Sequence, residues 1–219
     1  MRLVAVAHGT RSAPGNEVAA AIATAAGARL GMPAVAAFLE LAEPLFADLS
    51  DESSVVVPLL LSAGHHVRHD LGGVAPLGPD PLLAVAQVAR LLAVGAEPGR
   101  PLVMVAAGSR DPAALRDLDR ARALLAEAWG GPARLATLGG LGARPADVVR
   151  PGDAVSPYLL APGHFADRCR ASGDLVADVI GPHPAVVELV VRRASAAVQL
   201  QRLGGVQPHQ EPAGAGRHA

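Results

Sequence analysis

An internal repeat constrains the fold of this 219-residue chain more than any other feature of its sequence. Leu3–Arg11 resembles Leu102–Arg110, and Pro58 matches Pro157 at the same offset, 157 − 58 = 99. Several anchors at one offset indicate a duplicated structural unit. We predict a first lobe over residues 1–98, a second over 99–203, and a disordered tail, rich in Gly, Pro, Gln and His, over 204–219.

Each unit alternates short apolar runs with helical patterns, which predicts an α/β fold. The apolar runs rich in Val and Leu are typical of strands that are buried on both faces. We therefore predict two similar lobes, each a small parallel sheet flanked by helices on both faces. The predicted strands are Leu3–Ala7, Ala34–Leu39, Val55–Leu61, Leu102–Ala106, Ala133–Leu138 and Val155–Leu160, and the predicted helices are Asn16–Leu30, Pro44–Leu49, Pro81–Val94, Pro112–Trp129, Ala171–Ile180 and Pro184–Leu203.

Histidines follow two predicted strands of the first unit. His8 begins the loop after the first strand, and the loop after the third strand runs from Ser62 to His69. A third loop adds the carboxylates of Glu40 and Glu43. Parallel strands end at one edge of their sheet, where α/β proteins bind ligands. Two imidazoles and a carboxylate suit a first-row divalent metal ion, and imidazole also accepts protons near neutral pH.

Each of these residues also has an ordinary structural explanation when it is taken alone. A histidine after a strand is commonly a loop residue. Glu40 and Glu43 flank a predicted helix start, where the helix dipole favours carboxylates. Only the convergence of three loops at one edge of a sheet favours a functional site.

The repeat separates shared scaffold from candidate chemistry. At the offset of 99, His8 falls on Ala107 and His66 falls on Phe165, whereas His65 falls on His164. The candidate chemistry is therefore confined to the first unit. Because the position of His65 is shared by both units, His66 is the better ligand candidate in its loop.

Composition excludes several classes of protein. Nineteen basic residues against 20 acidic ones give a net charge of -1, which is unlike a nucleic-acid-binding protein. No apolar run is long enough for a transmembrane helix, and the N-terminal run is too short for a signal peptide, so no membrane association is expected. The single cysteine, Cys169, cannot form an internal disulfide, which favours a cytoplasmic location.

These segments resemble the class II chelatases, specifically the sirohydrochlorin chelatase family of sirohaem and cobalamin synthesis. The resemblance extends to about Arg202 and is carried by three segments: His8–Ser12, Phe38–Pro44 and Val57–Asp70. It implies that His8 and His66 are the catalytic residues and the metal ligands, and that His8 also accepts protons. It further implies a substrate-binding set of Glu43, Leu60, Leu61, Ser62, Ala63, Gly64 and His65.

The resemblance also implies an activity, the insertion of cobalt (Co2+) or iron (Fe2+) into sirohydrochlorin. The metal is a substrate, no organic cofactor is expected, and the tetrapyrrole would lie in the cleft between the lobes. Arg11, Arg68 and Arg110 could pair with its carboxylates, although a structural role suits each arginine equally. The chain looks like the long bacterial form of the family, whose second lobe has no metal site. This tandem arrangement favours a monomer.

Three alternatives stay open at this stage. A metal or tetrapyrrole carrier without turnover would use the same residues. A histidine-dependent phosphatase is suggested by His8-Gly9 after the first strand, but its motif has Arg before the histidine, where this chain has Ala7. A methyltransferase of the same pathway would need a Gly-rich methyl-donor loop, and none stands out.

Overall fold

The computed structural model describes residues 1–49, 54–63, 71 and 74–204. It confirms the predicted two-lobed α/β fold, with two small parallel sheets flanked by helices. The strands are β1 Arg2–Ala7, β2 Ala34–Phe38, β3 Ser54–Pro58, β4 Leu102–Ala106, β5 Ala133–Thr137, β6 Ala154–Tyr158 and β7 Leu175–Val176. The helices are α1 Ala13–Leu30, α2 Pro81–Ala93, α3 Pro112–Trp129, α4 Pro145–Val148, α5 His164–Arg170 and α6 Pro184–Gly204, with a short 3-10 helix at Phe46–Asp48.

The two sheets repeat the same strand order and register. The first has the order β2-β1-β3 and the second the order β5-β4-β6-β7, and every pairing is parallel. Leu3 pairs with Ala34 and Val55, and Leu102, at the repeat offset, pairs with Ala133 and Ala154. The sequence repeat is therefore a structural repeat. Apolar residues pack against both faces of each sheet, so the central strands β1 and β4 consist largely of buried apolar residues.

The last helix of each unit packs on the sheet of the other unit. Helix α2 packs against β6 and α3 of the second lobe, and α6 packs against β3 and α1 of the first. In this interface Gln87, which is 1% exposed, donates a hydrogen bond to Ser156 Oγ at 2.8 Å. Arg29 of α1 forms an ion pair with Glu188 of α6. The division at residue 98 follows the sequence repeat, whereas the packing of α2 and α6 crosses it.

The predicted helix Ala171–Ile180 is wrong. Helix α5 lies earlier, and β7 adds an edge strand at Leu175–Val176, where Leu175 pairs with Ala154 of β6. A pairing partner distant in sequence thus overrides the local helical pattern. The predicted helix Pro44–Leu49 is reduced to the 3-10 turn.

None of the helices within the described ranges is both long and apolar enough to span a membrane.

Candidate functional site

A cleft of about 1060 Å³ lies between the carboxyl edges of the two sheets. Its size is at the upper end of the range for small-molecule sites, which are usually formed between lobes or at sheet edges. Residues of both lobes line it, so a bound molecule would contact both repeat units. The first lobe contributes Ala7–Thr10 and Leu59–Ser62 among others, and the second contributes Ala106–Asp111 and Tyr158–Ala166.

His8 lines this cleft directly after β1 and faces a carboxylate. Its Nε2 atom lies 3.2 Å from Oε1 of Glu40, and the two side chains are 45% and 49% exposed. Such an exposed pair contributes less than about 1 kcal/mol to stability. A carboxylate at a ring nitrogen does, however, set the orientation of an imidazole that binds a metal ion. The pair is thus better suited to positioning His8 than to stabilising the fold.

A tight turn at Gly9 brings the loops of His8 and Glu40 together. The backbone N–H of Glu40 donates to the carbonyl of His8 at 3.1 Å. Gly9 has φ +95°, and a Cβ atom there would lie 1.8 Å from the carbonyl oxygen of Glu40. The second lobe has the same turn, with Gly108 at φ +87° and its would-be Cβ 2.0 Å from the carbonyl oxygen of Gly139. The scaffold is duplicated, whereas the histidine and the carboxylate are not.

Side chains of the second lobe hold the loop that follows β3. Tyr158 Oη donates to the carbonyl of Leu61 at 3.0 Å, and the N–H of Ala63 donates to Asp117 Oδ2 at 2.7 Å. Burial, together with the nearby carboxylates of Asp117 and Asp80, raises the pKa of Tyr158 far above its usual value. Its hydroxyl therefore stays protonated and remains a donor. Tyr158 and Asp117 connect the lobes at the cleft, and sequence reasoning missed both because their partners are backbone atoms.

The structure brings several of the predicted site residues together. His8, Leu60, Leu61 and Ser62 line the cleft. Ala63 comes next in the chain, bound to the second lobe as described. Gly64, His65 and His66, and with them Arg68 and His69, lie outside the described residues, so the predicted second ligand and its loop remain predictions.

Glu43 is not among the residues that line this cleft. It borders a neighbouring depression with Glu17 and Pro44, and its carboxylate accepts a hydrogen bond from the N–H of Leu45 at 3.1 Å. Its predicted contact with substrate remains a prediction. The carboxylate that the structure does bring to His8 is that of Glu40.

The second-lobe wall of the cleft carries Ala107, Arg110, His164 and Phe165. Phe165 is 42% exposed, and its ring meets that of His164 edge to face, with centroids 5.6 Å apart and an interplanar angle of 61°. Arg110 is exposed in the cleft lining, whereas Arg11 is not among the lining residues. Arg110 is therefore the better placed of these two to meet an anionic ligand.

Among the residues described, no group of three or more His, Cys, Asp or Glu side chains is arranged to hold a metal ion. His8 and Glu40 provide one imidazole and one carboxylate.

The predicted resemblance to the class II chelatases is confirmed by a match to a family model and by solved structures that share the two-lobed fold. Residues 2–75, which include His8 and the loop after β3, match the family model described as CbiX. No curated protein matches the chain in sequence.

Solved structures share the fold over nearly the whole chain. SirB from Bacillus subtilis with Fe3+ is 22% identical with a TM-score of 0.72, covering 93% of this chain and 97% of that one. A sirohydrochlorin chelatase SirB from Bacillus subtilis subspecies spizizenii, in complex with cobalt, is also 22% identical, with a TM-score of 0.67 and coverages of 90% and 95%. CbiX, described as the terminal enzyme for biosynthesis of sirohaem in denitrifying bacteria, is 20% identical, with a TM-score of 0.69 and coverages of 90% and 99%.

Proposed function

We propose that this protein is a sirohydrochlorin chelatase that inserts a divalent metal ion, Co2+ or Fe2+, into its tetrapyrrole. The observation that carries the proposal is an accessible imidazole, His8, in a cleft of about 1060 Å³ between two chelatase-like lobes. The similarity of the chain to the SirB and CbiX structures supports the choice of substrates, since one SirB structure is described with Fe3+ and the other with cobalt.

In the proposed reaction, His8 and the predicted ligand His66 present the metal ion to one face of the macrocycle. The metal forms bonds to the ring nitrogens, and two pyrrole protons leave. His8 is the proposed acceptor of these protons, taking one at a time and passing each to solvent, since imidazole accepts protons near neutral pH. The carboxylate of Glu40, 3.2 Å from Nε2, would offset the positive charge that His8 gains. Few protein ligands keep the metal exchangeable, which release into the macrocycle requires.

The substrate would lie against Leu60 and Leu61, followed by Ser62, Ala63, Gly64 and His65 of the same loop. Sirohydrochlorin carries many carboxylates, and the guanidinium of Arg110 in the cleft lining suits one of them. A contact with Glu43 remains part of the proposal, and Glu43 borders a depression that shares Asn16 with the cleft.

The experiment compares His8→Ala and His66→Ala with His164→Ala, a histidine of the same cleft on the opposite lobe. Metallation of sirohydrochlorin is followed by its absorbance change, and Co2+ binding is measured by titration. We expect the first two variants to lose at least about 100-fold in insertion rate. His164→Ala should bind Co2+ as the wild type does. Equal loss of Co2+ binding in His164→Ala would refute the assignment to the first lobe.

The same assay tests the alternative of a metal or tetrapyrrole carrier. A carrier would bind Co2+ or the macrocycle and leave the insertion rate at its uncatalysed value. The proposal also includes a role in sirohaem or cobalamin synthesis, a monomeric state and a cytoplasmic location. Each of these stays a prediction from the sequence.

A further inference from the structure

An exposed phenylalanine in the cleft has no role in the mechanism above. The chain has only three Phe, one Tyr and one Trp. Trp129, Tyr158 and Phe38 are at most 4% exposed, whereas Phe165 is 42% exposed and lines the cleft. Burial of an aromatic side chain is a large source of stability, so an aromatic ring left in a cleft wall is costly unless a ligand covers it.

Helix α5 buries other apolar side chains in the core and leaves the ring of Phe165 in the cleft. Ala166 and Cys169 of the same helix are 3% and 0% exposed, and both pack into the core of the second lobe. Phe165 adjoins the ring of His164 edge to face at 5.6 Å, which restricts its orientation. The ring is therefore a supported part of the cleft wall.

The repeat shows which residues of the first unit correspond to Phe165 and Ala107. At the offset of 99, Phe165 stands where the first unit has His66, and Ala107 stands where it has His8. Both second-lobe residues line the cleft. At these two positions the second-lobe wall thus carries hydrocarbon side chains in place of imidazoles, and the imidazole of His164 adjoins Phe165.

We infer that Phe165, together with Ala107 of the same cleft wall, forms an apolar platform for the macrocycle face that points away from the metal ligands. This inference rests on the proposed function. A flat conjugated macrocycle has two faces, and insertion from one face leaves the other to be covered. Stacking on Phe165 removes apolar surface from water, and the small side chain of Ala107 leaves room for the ring. Phe165 is then a specificity-determining residue for flat tetrapyrroles.

The test uses Phe165→Ala, Phe165→Trp and, as a matched control, Leu92→Ala. Leu92 is 50% exposed and lies on α2, outside the cleft lining. Titration with metal-free sirohydrochlorin gives the Kd, metallation kinetics give KM and kcat, and a separate titration gives the Kd for Co2+. Phe165→Ala should raise the Kd and KM for the macrocycle about tenfold, the size expected for one stacked aromatic ring. Its Co2+ affinity should equal that of the wild type.

Phe165→Trp should retain most of the macrocycle affinity, because it keeps an aromatic face, and Leu92→Ala should behave as the wild type. Unchanged macrocycle binding in Phe165→Ala would overturn the inference. So would equal losses in Phe165→Ala and Phe165→Trp, or a parallel loss of Co2+ binding, since these indicate a structural role. If the wild type itself neither binds nor metallates sirohydrochlorin, the proposed function fails as well, so the two failures are distinguishable.

Discussion

Replacement of Gly9 by alanine tests whether the turn after β1 positions a metal-binding histidine. An L-residue in the left-handed region costs about 1–2 kcal/mol, and φ is +95° here. The new Cβ would lie 1.8 Å from the carbonyl oxygen of Glu40, so the two loops must separate by about 1.6 Å to reach ordinary contact. The hydrogen bond from Glu40 to His8 is then lost, which adds about 1 kcal/mol. The sum of about 2–3 kcal/mol corresponds to a Tm lower by about 5–10 °C.

Gly108→Ala is the matched control, because Gly108 has φ +87° and a would-be Cβ 2.0 Å from the carbonyl oxygen of Gly139. Both variants should lose a similar amount of stability in thermal unfolding. Only Gly9→Ala displaces His8 and Glu40, and loss of such an orienting partner weakens metal binding about 10–100-fold. Titration with Co2+ should show this loss for Gly9→Ala and none for Gly108→Ala. Equal Co2+ affinities in the two variants would show that the turn does not position a metal ligand.

Two further predictions concern the helices that cross between the lobes. Ser156→Ala leaves the amide of Gln87, at 1% exposure, without its acceptor, and should lower stability by about 1–3 kcal/mol in urea unfolding. The double variant Gln87→Leu/Ser156→Ala should recover most of this loss, and a double variant no better than the single one would contradict the explanation. Hydrogen bonds from Arg192 and Arg29 lower the pKa of Glu188. A lowered folded-state pKa contributes stability above the unfolded-state value, and the contribution disappears as the pH falls through the folded-state pKa. Glu188→Gln should therefore be less stable than the wild type at neutral pH and equal to it in acid, and a difference that persists in acid would exclude this ionic contribution.

The central strands were predictable because they are buried on both faces. Such strands consist largely of apolar residues, and β1 and β4 show this directly in the sequence. The edge strand β7 was not predictable in this way. It has two residues, and it exists because Leu175 and Val176 pair with β6. Local pattern cannot show a pairing of this kind, so the segment was predicted as a helix.

The sequence also does not predict which of the two sheets α2 packs against. Its apolar residues predict a buried helix, but they do not distinguish the sheet of its own unit from the sheet of the other unit. The buried bond between Gln87 and Ser156 joins residues 69 positions apart. Such a polar pair is visible only after the helix is placed, because neither residue alone indicates a partner.

For the two carboxylates of the third loop, Glu40 and Glu43, the sequence predicts the sheet edge but not the position of each side chain. The strand order correctly brings this loop to the edge where His8 lies. Between Glu40 and Glu43 the chain turns at Leu41, which has a left-handed φ of 66°, and the carbonyl of Pro44 accepts a hydrogen bond from the N–H of Phe38. This reversal leaves Glu40 beside His8 and takes Glu43 to another depression. The sequence predicts the edge, whereas the turn decides which carboxylate lies beside His8.

The turns after β1 and β4 share the features that folding requires, and they differ at the positions of His8 and Glu40. In the first lobe the N–H of Ser12 donates to Thr10 Oγ1, and in the second the N–H of Asp111 donates to Ser109 Oγ, each at 3.1 Å. Both loops keep a glycine with positive φ, since each must pass close to a neighbouring carbonyl. Folding therefore constrains both copies equally at these positions. The exposed pair of His8 and Glu40 contributes little to stability, so its loss from the second copy, where Ala107 and Gly139 stand, is tolerated. Under the proposed function, a fused pair of lobes with one cleft needs metal ligands on only one wall, which leaves the other wall for contact with the substrate.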